Sequence, residues 1–88
     1  MGKIEKDIIV EKKDGLHARP ATIFVQLANK FNSSIRVEKD GEIIDGKSII
    51  AILSLGVNKG MKVRLIVDGD DFQEALANLG KFLEDEND

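Results

Sequence analysis

Ile35-Arg36-Val37-Glu38-Lys39-Asp40-Gly41-Glu42-Ile43-Ile44 is the stretch that sets the architecture. Ile35 and Val37 alternate with charged residues, as a strand with one buried face requires. Asp40-Gly41 is a two-residue hairpin signal, because a type I′ turn needs positive φ at both central positions. Glu42 to Ile44 then returns as the next strand. Strands joined this tightly lie antiparallel and side by side.

Upstream of the hairpin, Ala18 to Phe31 has helical spacing. Phe24, Leu27, Ala28 and Phe31 form a stripe with Ile23 at its margin, and Asn32-Ser33-Ser34 ends it. Before it, Asp7 to Lys12 reads as a strand with Ile8 and Val10 on one face and Ile9 on the other. Downstream, Asp45-Gly46-Lys47 is a loop, and Ser48 looks like the N-cap of a short helix, Ile49 to Leu55, stopped by Gly56. Asn58-Lys59-Gly60 turns the chain into Lys62 to Asp68, where Val63, Leu65 and Val67 alternate with Lys62, Arg64 and Asp68. Asp70 or Asp71 caps a last helix, whose stripe is Phe72, Ala75, Leu76, Leu79, Phe82 and Leu83. The order is βαββαβα. It implies an α+β fold: an open-faced β-sandwich, a four-stranded antiparallel sheet with three helices on one face.

The 88 residues, 1–88, are read as a single domain around one modest core. The composition, 42% hydrophobic and 33% charged, is an ordinary globular mix. A net charge of −3 argues against a nucleic-acid partner. The absence of cysteine removes disulfides, thiolate nucleophiles and cysteine-based zinc sites. No apolar stretch approaches a membrane span and no signal peptide is visible, so no membrane association and a cytoplasmic location are expected.

The chemistry-bearing segment is Gly15-Leu16-His17-Ala18-Arg19-Pro20-Ala21, with the only histidine and the only proline of the chain. Pro20 fits the first turn of a helix, where a missing N–H costs little. That puts His17 at the N-cap. The amides of Ala18 and Arg19 then face whatever lies there, and the helix dipole adds roughly half a positive charge. A phosphate suits such a place. A neutral ring nitrogen is a competent nucleophile toward a phosphoryl donor, and Arg19 offers a planar cation that can bridge phosphoryl oxygens. The plainer reading is a capping histidine beside an exposed arginine, and the local pattern leaves both open. No metal is expected, since one histidine and no cysteine cannot form an ordinary site.

Other patterns carry less. Gly41 to Ser48 formally matches the phosphate-cradling G-x-x-x-x-G-K-S loop. The match is discarded: the hairpin uses Gly41, Glu42 and Asp45 would oppose phosphates, and the chain is too short for such a domain. Lys12, Lys13, Lys47 and Lys59 either ring the His17 face or are solvated loop lysines.

The heptapeptide resembles the active-site motif of HPr, the histidine phosphocarrier family of the bacterial phosphoenolpyruvate:sugar phosphotransferase system. Lys47-Ser48-Ile49-Ile50-Ala51-Ile52-Leu53-Ser54-Leu55-Gly56 resembles the family's regulatory-serine segment, at the family's spacing from the histidine. The resemblance implies that His17 takes phosphate at Nδ1 from phosphorylated enzyme I and passes it to a sugar-specific enzyme IIA. It implies that Arg19 orients and neutralises the phosphoryl group. It further implies that Ser48 is the target of an HPr kinase/phosphorylase. Ile49, Ile50 and Leu53, with Lys47 beside them, match an exposed docking patch. Ile50 and Leu53 stand where methionine is common and Ala51 where glycine is frequent, which keeps the patch apolar but stiffens it. A phosphate on Ser48 would add up to about two negative charges there. An alternative implied function is a regulatory module in carbon catabolite control, in which modified Ser48 meets a transcriptional regulator. A paralogue class of that kind lacks the active-site histidine, and His17 argues against it. The resulting expectation is a phosphocarrier rather than a turnover enzyme, with no cofactor, working as a monomer.

Overall fold

The computed structural model describes residues 2–87. The elements are β1 (Gly2–Ile9), α1 (Ala18–Ala28), β2 (Ser34–Lys39), β3 (Glu42–Asp45), α2 (Ile49–Leu55), β4 (Lys62–Gly69) and α3 (Phe72–Glu84). They form one four-stranded sheet in the order β1-β4-β2-β3. Every pairing is antiparallel. This is the open-faced sandwich with three helices that the pattern implied. At the hairpin, Asp40 (φ 52°) and Gly41 (φ 85°) are both left-handed, as the tight turn demands, and Lys39 faces Glu42 across it.

One face of the sheet presents Ile8, Ile35, Val37, Val63, Leu65 and Val67 to Phe24, Ala28, Ile52, Leu55, Ala75, Leu79 and Leu83 of the helices. All are buried. Each large side chain so removed from water stabilises the fold by roughly 1.5–3 kcal/mol. The Phe24 and Phe82 rings lie 6.4 Å apart between α1 and α3. The other face is mostly charged, with Ile66 buried among its side chains and Ile9 and Ile43 exposed. The Arg64 Nε donates to Asp7 Oδ1 at 2.8 Å, with Lys62 and Glu5 close by. That hydrogen bond holds the Asp7 carboxyl below its ordinary range and raises the Arg64 guanidinium.

Several boundaries differ from the sequence pattern, each for a physical reason. The first strand runs Gly2–Ile9, not Asp7 to Lys12. Its first half shows one isoleucine among charges, and pairing with β4 from Gly2↔Gly69 to Ile9↔Lys62 makes it a strand. The alternation Ile8, Val10, Lys12 nevertheless continues inward. Lys12 is therefore buried, neither solvated nor ringing His17. Its ammonium donates to the Asn87 carbonyl and lies 4.0 Å from the centre of the Phe82 ring. Helix α1 ends at Ala28, before Phe31, because the Asn29 side-chain amide turns back to the Val25 carbonyl at 2.8 Å. Asp71 is the N-cap of α3, yet its carboxylate makes no cap bond. It accepts instead from the Asn32 amide (2.8 Å), the Ser33 amide (2.9 Å) and the Ser33 hydroxyl, closing the loop between α1 and β2. Those bonds, the hydroxyl's first, hold its carboxyl below the usual value.

Candidate functional site

Two loops meet at the start of α1. The Gly15 amide donates to the Lys12 carbonyl and the Leu16 amide to the Val57 carbonyl, both at 2.9 Å. Gly15 is left-handed at φ 65°, and a Cβ there would stand 2.3 Å from the Val57 oxygen. Only glycine lets the segment lie this close. Leu16 and Val57 are buried on either side of the join, which fixes His17 from below.

His17 caps α1 with extended backbone (φ −118°, ψ 158°), and its ring accepts no hydrogen bond from the helix. The first-turn amides of Ala18 and Arg19 have no intrahelical acceptor, and Pro20 has no amide to offer. Ala18 is left-handed at φ 45°, a conformation that costs a residue with a Cβ about 1–3 kcal/mol. The Ala21 amide reaching the His17 carbonyl (3.4 Å) and the Thr22 hydroxyl reaching the Ala18 carbonyl (3.2 Å) hold it there.

The half-buried ring is held from one side. His17 Nε2 lies 2.7 Å from Asn58 Oδ1. An amide oxygen only accepts, so Nε2 donates, and in a neutral ring the lone pair stands on Nδ1. Nδ1 has no hydrogen bond among the described residues. Arg19 is exposed and has no hydrogen bond or ion pair among the described residues. The site therefore offers a nucleophilic nitrogen, two open amides and an unspent guanidinium. Sequence reasoning found every part but Asn58, which stands 41 residues from His17 in an ordinary turn and gave no signal.

Helix α2 packs against α1. Ser48 is its N-cap, accepting the Ala51 amide at 3.2 Å, and left-handed Gly56 ends it. The Lys39 ammonium satisfies the terminal carbonyls of Leu55 (2.9 Å) and Gly56 (3.0 Å). Ile50 is 75% exposed and Leu53 42% exposed, while Ile49 is half-buried against the core. Lys47 spends its charge on structure, donating to the Phe31 carbonyl at 2.7 Å. The turn after α2 leads through buried Val57 to Asn58, so the chain ties this helix directly to the partner of the imidazole.

Among the described residues no helix is long and apolar enough to cross a membrane. Residues 4–85 match the family PTS-HPr, the PTS HPr component phosphorylation site. The HPr-like protein Crh of Halalkalibacterium halodurans is 47% identical over 83 residues, covering 94% of this chain and 99% of that protein. The crystal structure of the phosphocarrier protein HPr from Bacillus anthracis superposes with a TM-score of 0.92 at 39% identity, covering 96% of this chain and all of that one. The crystal structure of Crh, the catabolite repression protein of Bacillus subtilis, has a TM-score of 0.74 at 45% identity, covering 91% of this chain and 92% of that one. That Crh is a domain-swapped dimer. The expectation of a monomer is corrected by it. A swap re-forms the same contacts between chains that a monomer makes within one, so burial patterns in a sequence do not distinguish the two.

Proposed function

The chain belongs to the PTS-HPr family, whose members are phosphocarriers and not turnover enzymes, and on that premise we propose that His17 is the residue that carries the phosphate. The observation that carries the reading is the bond from His17 Nε2 to Asn58 Oδ1, which leaves the Nδ1 lone pair unengaged on the residue that caps α1. In uptake, Nδ1 attacks the phosphorus of phosphorylated enzyme I. A phosphorus–nitrogen bond forms while the donor's bond to phosphorus breaks, its electron pair staying with the donor. The phosphoryl oxygens gain the Ala18 and Arg19 amides, the helix dipole and the Arg19 guanidinium. The group then passes to a sugar-specific enzyme IIA. The exposed Ile50 and Leu53 supply an apolar contact for these cytoplasmic partners, and Ser48 is the regulatory position.

A second reading is favoured by the likeness to Crh, a protein described by its role in catabolite repression. In it, modified Ser48 makes a surface for a transcriptional regulator and transport is secondary. One experiment separates them. With phosphoenolpyruvate and enzyme I, the wild-type chain is expected to gain acid-labile phosphate and His17→Ala none. Wild-type protein that stays unlabelled would move the assignment to the regulatory module.

A further inference from the structure

We propose that Asn58 is a positioning residue for phosphoryl transfer, holding a proton on His17 Nε2 through the whole cycle. The inference rests on the carrier reading above. The loop is built to present this side chain. Left-handed Gly56 turns the chain off α2, and the Val57 carbonyl is fixed by the Leu16 amide. The Asn58 amide donates to Met61 Sδ at 3.3 Å, and the Asn58 carbonyl accepts the Met61 amide at 3.1 Å. The backbone of Asn58 is thus held at both its polar groups, while its side-chain oxygen has the ring as partner.

An unheld neutral imidazole exchanges its proton between the two nitrogens, and the form protonated at Nδ1 cannot attack through that atom. With Oδ1 turned to the ring, as the structure places it, that form would set acceptor against acceptor and is disfavoured. During uptake the ring becomes cationic, with its proton still on Nε2. During release, a nucleophile of the acceptor attacks phosphorus, the bond to Nδ1 breaks and its electron pair returns to Nδ1. The ring departs neutral, again protonated on Nε2. No proton enters or leaves it in either step. A ring that lost the Nε2 proton while loaded would have to leave as an anion, a far poorer leaving group. One hydrogen bond therefore serves both directions.

Nitrogen-15 spectra of His17, at a pH where the ring is neutral, read the tautomer directly. The wild type is expected to carry the proton on Nε2. Asn58→Ala is expected to move both ring nitrogens toward the values of free imidazole, and Asn58→Asp, which keeps the acceptor, to restore them. Loading from phosphorylated enzyme I is expected to fall about three- to tenfold in Asn58→Ala, the range for losing a single hydrogen bond. The backbone contacts to Met61 remain in both variants, so unchanged amide spectra elsewhere exclude a loosened loop. Nitrogen shifts that do not move in Asn58→Ala overturn the proposal, as do moved shifts with an unchanged loading rate. Wild-type protein with the proton held on Nε2 but no uptake of phosphate overturns the carrier reading, and Asn58's part in transfer with it.

Discussion

Helices α1 and α2 lie side by side and begin in opposite ways. At α2 the cap residue, Ser48, turns its hydroxyl inward to take the Ala51 amide, and the far end is closed by Gly56 and the Lys39 ammonium. At α1 the cap residue, His17, turns its ring away to Asn58 and leaves the first amides open, next to a strained Ala18. A closed cap contributes about 1 kcal/mol, so α1 gives up roughly that much and carries the backbone strain as well. The deficit is offset by buried Phe24 and Ala28 on the same helix. The difference separates a helix end that closes its own amides from one that leaves them unsatisfied.

The largest expected effect comes from making the first end resemble the second. His17→Ser supplies an accepting hydroxyl at a position whose extended backbone suits it. Denaturant unfolding should show a gain of about 0.5–1 kcal/mol, while acid-labile phosphate disappears completely. A loss of stability would mean that the α1 amides already have a satisfactory partner.

The converse change has the smaller effect on phosphate. Ser48→Ala removes the cap bond to Ala51 and should cost about 1 kcal/mol, with the loading rate of His17 unchanged. Ser48→Asp keeps a capping oxygen and adds a charge near exposed Ile50 and Leu53. It should slow loading from enzyme I severalfold, more so at low salt, because both the donor's phosphoryl group and the new side chain are negative. A rate independent of the Ser48→Asp charge at every salt concentration would place the docking face away from Ser48.

What the sequence disclosed follows the same division. The hairpin, the helix stripes and both caps rest on neighbours in the chain, so Asp40-Gly41, Ser48 and His17 were legible at once. The partners that finish the site are remote. Asn58 lies 41 positions from His17, and nothing in Asn58-Lys59-Gly60 marks it as more than a turn. Lys12 reads as a surface lysine until the C-terminal segment supplies the Asn87 carbonyl and the Phe82 ring over it. Asp71 was legible as a cap by position, but its carboxylate answers to Asn32 and Ser33, 39 and 38 residues away. A swap such as that of the Bacillus subtilis Crh is the least legible of all, since a swapped contact and an internal one use the same residues.

The smallest expected effect tests a third helix start. Asp71 sits at the N-cap of α3 and, like His17, does not cap it. Unlike His17 its side chain is spent on fold, accepting two amides and a hydroxyl from the loop after α1. Those bonds depress its pKa below the ordinary 3.8. The unfolded chain therefore binds the proton more readily, so the contribution is complete above that value and is lost as pH falls below it toward the native one. Asp71→Asn keeps one acceptor and removes the charge. It should be less stable than the wild type at about pH 7, and the gap should narrow as pH falls below 3.8, where the unfolded wild-type chain binds the proton more readily than the native one. Asp7 is also held low, by Arg64, but is the same in both proteins, so it cancels from the difference. A gap that stays constant across the acid limb would mean that shape, and not the carboxylate's charge, ties α3 to the loop. The contrast between a side chain spent on fold and the one proposed to carry phosphate would then rest on α2 alone.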